Sequence, residues 1–216
     1  MIKIGEKIRN LEMNMSLGIL TATVTVIPSC DEIVALLTQE VKNIESKFTL
    51  DNYRNETLEA SRKIYKALGK DPSRYRISSD SLFRRIIKNK GIYYVNNVVD
   101  INNIISLKTL WSVGAYDFDK IQGDIIYGVG TKEDVYEGIG RGLLNIDSLP
   151  VLIDSIGPFG SATSDSLRTM VTEETTKLIM VVHAFGGDNG LIEAMNEMKG
   201  YLERYANASQ IDIKII

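Results

Sequence analysis

The sequence predicts a mixed α/β or α+β fold, and three observations carry that expectation. First, apolar and polar residues alternate through LTATVTVIP (20–28), and KLIMVVHAF (177–185) is almost continuously apolar; these are the half-buried and fully buried strand signatures. Second, Ile33, Leu36, Leu37, Val41 and Ile44 recur at the three- and four-residue spacing of a helix stripe. Third, helical and strand-like segments are interleaved with connections of varied length, which excludes an all-helical or all-β chain. With 216 residues, 44% apolar and 25% charged, there is material for one substantial core, or one core and a small appendage.

In chain order, Pro28 ends the first strand, and Ser29, with Glu32 three residues on, predicts an N-cap for a helix reaching about Lys47. A second helix is predicted from Glu56 to Leu68, facing Leu58, Ile64, Tyr65 and Leu68 inward and stopping at Gly69. Pro72 forbids helix through the next segment. Ser79 or Asp80 then caps a helix from Ser81 to Asn89, with Gly91 beyond its end. YYVNN is a short extended piece, and Asn97 is the expected cap of VVDINNIISLKTL. GDIIYGVG (123–130), SLPVLID (148–154) and KLIMVVHAF read as strands, followed by a helix over 189–205 and a final strand, IDIKII. Residues 1–55 are expected to be an N-terminal strand–helix extension packed on a main domain of residues 56–216, because LTATVTVIP is too apolar on one face to stand alone.

No apolar run approaches the roughly 20 residues of a membrane span. MIKIGEKIRN has no apolar h-region, so no secretory signal is expected. Cys30 is the single cysteine, which excludes an internal disulfide and fits a reducing cytoplasm. The net charge is −3, but ten Lys and Arg against Asp71 and Asp80 put residues 61–90 at +8 and leave −11 on the remainder. A basic segment on an acidic body is the pattern of a local phosphate-contacting surface; an unevenly charged solvated helix face is the equally weighted alternative.

Several motifs imitate functional ones. YGVGTKEDVYEGIGRG has the glycines of a phosphate loop, but EGIGRG opens no convincing helix and the chain has no GKS or GKT, so β-turns are the better reading. His183 is the only histidine and sits in an apolar strand; no metal site and no cofactor are expected, and without GxSxG no nucleophile elbow is either. Asp117 and Asp119 read as cap or turn residues. GPFGSATSDSLRT (157–169) is the richest loop. Its amides and the hydroxyls of Ser161, Thr163, Ser164 and Ser166 can donate to a ligand, and Asp165 or Arg168 can meet a charge; a Ser/Thr turn cluster capping its neighbours is the plain alternative.

SSDSLFRRIIKNKGIYYVNNVVDINNII (78–105), SVGAYDFDKIQGDI (112–125) and IGPFGSATSDSLRTMVTEETTKLIMVV (156–182) together resemble the tRNA-editing region, the B-three/B-four domain, of the phenylalanyl-tRNA synthetase beta subunit. The resemblance covers about residues 75–185 and marks the chain as similar to a free-standing member. It implies a layered α/β domain with an unusual β-sandwich core. It also implies a pocket that, in the synthetase, hydrolyses tyrosine wrongly attached to tRNA. Carried over by position, Asn102 and Asn103 fall among the family's substrate-contacting residues. Gly114, before Ala115 and Tyr116, falls where the family has a histidine. The loop of Gly157, Phe159, Gly160, Ser161, Thr163 and Ser164 matches the family loop that carries a pocket glutamate, which this sequence lacks.

The expected substrate pocket is therefore Asn102, Asn103, Gly114–Tyr116 and the 157–164 loop, with Arg74, Arg76, Arg84, Arg85 and Arg168 as the RNA- or anion-binding set and no assigned catalytic residue. If Ser81 opens its helix, Arg84 and Arg85 stand near the positive dipole end, which argues for an anionic ligand. The expected function is tRNA binding of the editing type, with hydrolysis of mischarged aminoacyl-tRNA in trans. The alternatives are a non-catalytic RNA-binding module, and a pocket for a free amino acid or related metabolite. The expected partner is the acceptor end of tRNA or an aminoacyl ester, with neither DNA nor membrane involved. No ATP site is present in the motifs, so an aminoacylating enzyme is excluded.

Overall fold

The computed structural model describes residues 2–216. Its elements run β1 (Ile2–Ile4), α1 (Glu6–Arg9), β2 (Met15–Thr23), α2 (Asp31–Lys47), α3 (Glu56–Ala67), α4 (Ser78–Ile87) and α5 (Asn97–Thr109), then β3 (Ser112–Asp117), β4 (Ile125–Val129), β5 (Val135–Gly138) and β6 (Gly142–Asn145). β7 (Pro150–Ile153), β8 (Pro158–Ser161), β9 (Lys177–Phe185), α6 (Leu191–Tyr205) and β10 (Ser209–Ile215) complete the chain. The fold is mixed α+β.

Two four-stranded sheets form the frame, ordered β10-β2-β9-β3 and β1-β4-β7-β8. Their facing sides enclose one apolar cluster, built from Leu17, Ile19, Tyr116, Ile179 and Val181 of the first sheet and Ile125, Tyr127, Leu152 and Phe159 of the second. The other side of the first sheet, through Leu20, Leu178, Met180 and Val182, shares a larger core with helices α2–α6. The layers are thus sheet, sheet and helices. β2 and β9 lie inside the first sheet and are covered on both faces, so neither shows clean alternation over its whole length.

That double burial explains why β2 begins at Met15 rather than at Leu20. MSLGIL carries no period-2 signal because both faces are buried. A Cβ at Gly18 would meet the Met195 sulfur of α6 at 2.6 Å, so the glycine lets that helix pack close against β2. The expected strand keeps only Leu20–Thr23 in the sheet; beyond it the chain leaves, with Val24 N–H donating to Thr176 O and Thr25 N–H to Ala206 O.

Three predicted caps shift by one or more residues. Cys30, not Ser29, occupies the N-cap of α2, and the Ser29 hydroxyl donates to Asp100 at 2.6 Å. α4 begins at Ser78, because the Ser79 hydroxyl is drawn to Leu110 O and its N–H to Ser112 Oγ. Asn96 caps α5, accepting from Val99 N–H. Asn97 has a larger task. Its carbonyl accepts from Ile27 and Val98 N–H, and its amide donates to Thr25 O and Tyr205 O. One buried side chain therefore ties α5 to the segment after β2 and to the end of α6.

His183 is fully buried and shares a 3.0 Å hydrogen bond with the Tyr127 hydroxyl of the opposing sheet. Burial lowers its pKa to about 3, so it is a neutral core residue. Asp117 caps the turn at Asp119 N–H and accepts from Thr175. The glycine-rich segment is the β5–β6 hairpin, whose turn places Gly140 and Gly142 at φ of +67° and +68°. No helix among the described residues is long and apolar enough to cross a membrane.

Replacing Asn97 by Ala leaves four backbone groups without their partner. The expected loss is about 3 kcal/mol of unfolding free energy, read as a lower urea midpoint at unchanged m. Asn96→Ala, which removes only a cap, should lose about 1 kcal/mol in the same assay.

Candidate nucleic-acid interface

The basic window folds into a cleft. α4 turns Ser79, Asp80, Phe83 and Ile86 into the core, which leaves Ser78, Ser81 and Arg85 on its outer side. That side, α5 and the β5–β6 turn border a cleft of about 550 Å³. Its cations are Arg76, Arg84, Arg85, Lys88 and Lys90 from the window, and Arg141 from the hairpin. Among the described residues, Asp165 is the one carboxylate in the lining. α5 contributes Asn102, Asn103 and Ser106, and the Asn102 Oδ1 atom is buried without a hydrogen-bond partner. A second cavity of about 320 Å³ shares Arg76, Ser81 and Arg141 with the first and adds Arg74, Ser161 and Thr163.

The arginines are anchored from behind. Arg84 Nη1 donates to the Tyr53 hydroxyl at 2.9 Å, Tyr53 donates to Asp80 at 2.8 Å, and Arg76 lies 3.9 Å from the same carboxylate. One buried carboxylate thus serves two arginines and leaves the cleft strongly positive. Arg84 and Arg85 occupy the last turn of α4, because the helix starts at Ser78. They stand at the end where the dipole welcomes cations, contrary to the expectation that they lie near its positive end, so their position needs no anionic ligand.

The expected pocket residues divide into two groups. Asn102, Asn103, Ser161 and Thr163 border the two cavities with Arg74, Arg76, Arg84 and Arg85. Gly114, Ala115, Tyr116, Phe159 and Gly160 lie in buried strand positions, with Ala115 turned to the helical core. β8 passed unseen in the sequence because PFGS has the composition of a turn. Its glycine answers to Tyr116. A Cβ at Gly114 or at Gly160 would stand 2.6 Å from Cζ of the Tyr116 ring. The tyrosine fills the space between the two glycines, meets Phe159 edge-on at 5.1 Å and donates its hydroxyl to Asp165 Oδ1 at 2.6 Å.

Asp165 is thereby placed at the cleft. It keeps a partly exposed edge on the lining, while the atoms around it strip most of its water and push its carboxyl up to about 7 against the opposing Tyr116 and Ser161 hydrogen bonds. Burial first, and then the Asp165 charge, push the Tyr116 hydroxyl well above its ordinary range.

The hydroxyls of Ser161, Thr163 and Ser166 are engaged internally, and Ser164 is held through its backbone. Ser161 Oγ receives Thr163 and Ser164 N–H and donates to Ser164 O, Thr163 pairs with Tyr65, and Ser166 accepts from Arg168 N–H. Arg168 and Gly157 lie apart from the cleft. Arg168 grips both oxygens of Asp154 at 2.9 and 3.0 Å and also donates to Gly157 O, closing the β7–β8 turn. The described residues contain no cluster of His, Cys, Asp and Glu suited to a metal ion.

The fold and the cleft define a sandwich-and-helix domain with a basic groove, and comparison with known proteins supplies the family. The family model of the B3/4 domain matches residues 60–212, and the chain belongs to that family. It is similar to the phenylalanine–tRNA ligase beta subunit of Protochlamydia amoebophila (strain UWE25), 29% identical over 97 residues that cover 44% of this chain and 12% of the relative. An N-terminal fragment of the phenylalanyl-tRNA synthetase beta subunit from Pyrococcus horikoshii aligns over 99% of this chain and 49% of its own, at 15% identity and a TM-score of 0.47. The chain spans about an eighth of the length of the curated relative it matches.

Gly114→Ala and Gly160→Ala each drive a methyl into the Tyr116 ring and should destabilise by about 1–3 kcal/mol. In the Tyr116→Val background the cost of either should shrink by more than half. Thermal unfolding of the two double-mutant cycles measures that coupling.

Proposed function

We propose that the chain binds the acceptor end of tRNA in the cleft beside α4. The observation that carries this reading is the charge of the lining: six cations face one carboxylate. Phosphates are the ligand chemistry such a surface holds best, because each contact also releases condensed counterions. Membership of the B3/4 family, and the printed name of the similar synthetase subunit, direct the choice toward tRNA. Binding should therefore weaken steeply with salt. Lys88→Ala and Arg141→Ala should each lower the log–log salt slope by roughly one, measured by fluorescence anisotropy of labelled tRNA. A slope unchanged by both substitutions removes the cleft from the binding surface.

A second reading, hydrolysis of an aminoacyl ester in trans, is favoured by Asp165. With a carboxyl titrating at about 7 beside Asn102 and Asn103, the cleft holds a candidate general base. In that reaction water attacks the ester carbonyl and Asp165 takes its proton. The tetrahedral intermediate expels the ribose oxygen, which recovers the proton from Asp165. The neighbouring cations and asparagine amides supply donors for the oxyanion. A pocket for a free amino acid has less support, because Tyr116 already fills the space between Gly114 and Gly160. The raised carboxyl is protonated below about 7 and becomes a base above it. Deacylation of a panel of mischarged tRNAs, tyrosine on phenylalanine tRNA included, should thus rise with pH through about 7 and level off. Asp165→Asn should cost about 10²-fold or more and flatten the profile, and Asn103→Ala should weaken release as well. Binding without release from any member of the panel leaves a non-catalytic RNA-binding module.

A further inference from the structure

Beyond the cleft, the loop joining α4 to α5 carries an exposed aromatic surface. Tyr93 is 68% exposed, Tyr94 47% and Val95 60%. Yet the loop is firmly held. Arg85 Nε donates to Gly91 O at 3.0 Å, and its Nη2 to Lys90 O at 2.9 Å. Tyr94 shares a 2.8 Å hydrogen bond with Thr38 of α2. Val95 N–H donates to Asp100, the carboxylate that also receives Ser29. These ties fix the backbone on both sides of Tyr93 and leave its ring without a packing role in the core.

The ring is not isolated from the cleft. The Arg85 guanidinium lies 4.2 Å from the centroid of Tyr93, and Arg85 is itself a cleft-lining residue with Lys88 and Lys90 beside it. A cation and an aromatic face in this order, next to a row of lysines, match the demands of an unpaired nucleotide: a flat apolar surface for the base and positive charge for its phosphate. A lipid surface would call for several apolar side chains at one level, and here the tyrosines are flanked by cations and a tethering hydrogen bond.

We propose that Tyr93 is a stacking platform for an unpaired base of a single-stranded RNA end, with Arg85 extending the stack toward the cleft and Lys88 and Lys90 meeting the adjoining phosphates. The proposal rests on the reading of the cleft as an RNA site and adds a subsite for its single-stranded part.

The test uses the full chain and two hairpin RNAs copied from an acceptor stem, one carrying its unpaired 3′ nucleotides and one blunt. The wild type should prefer the overhanging RNA. Tyr93→Ala should weaken that RNA about ten-fold or more and leave the blunt one unchanged, whereas Tyr93→Phe should retain the preference. In Tyr93→Trp the overhang alone should quench the new fluorophore, against a background from Trp111, which is 7% exposed. Equal affinity of the wild type for both RNAs, an equal loss for both in Tyr93→Ala, or an unquenched indole in Tyr93→Trp overturns the platform while leaving the cleft's reading intact. Failure to bind either RNA at low salt overturns both. Binding to anionic vesicles in preference to RNA also overturns the platform.

Discussion

A buried tyrosine hydroxyl must end on an acceptor, and most of the site follows from how Tyr116 meets that demand. Its ring lies in the apolar layer between the two sheets and its hydroxyl reaches Asp165. Reaching it requires that nothing larger than hydrogen stand at Gly114 or Gly160. It also requires β8 to run beside β7, so that the turn after it brings Asp165 back over the ring. The turn holds its shape because Ser161 accepts from two backbone amides and the Tyr136 hydroxyl, buried nearby, donates to Ser164 O. A carboxylate at the lining of a basic cleft is thus the outer end of a constraint that begins in the core.

The cleft obeys a second constraint, the cost of gathering cations. Six positive side chains around one cavity repel one another, and a folded chain tolerates this only where solvent, counterions or fixed partners absorb the charge. Asp80 and Tyr53 support Arg76 and Arg84, and backbone carbonyls support Arg85. Lys70, from the same basic window, is treated differently: it is buried, donates to Asn145 and to Asp147 O, and lies over Tyr75. Burial depresses its pKa against the pull of Asp147. The window therefore mixes one structural lysine with several cations presented to the cleft, a distinction that composition alone does not carry.

Where the sequence was legible, a single period decided the matter. KLIMVVHAF forms β9 over Lys177–Phe185 because the stretch from Leu178 to Phe185, apolar but for His183, has few other uses. The stripe of α2 and the stop of the next helix near Gly69 were equally plain. Legibility failed where one residue answered to a distant partner. Asn97 looks like a cap, but its four hydrogen bonds reach Thr25, Ile27 and Tyr205 as well as its own neighbour. PFGS looks like a loop because its glycine, Gly160, is fixed by the ring of Tyr116, far earlier in the chain. The start of α4 moved to Ser78 because Ser79 was taken by Leu110 and Ser112. The cleft's arginines were visible as a charge excess, whereas Arg141 was hidden at a hairpin tip. Local pattern determines periodicity and turns; it does not encode which side chain a glycine makes room for.

The same geometry fills the space between the two sheets. The space between Gly114 and Gly160 is occupied by the chain's own Tyr116, whose hydroxyl ends on Asp165 at the lining of the cleft. Cations, amides and hydroxyls make up most of the cleft's lining, with Leu82 and Val113 as its apolar members. Opening a pocket between the sheets would require Tyr116 to leave, and its departure would abandon both the Asp165 hydrogen bond and the edge-on contact with Phe159.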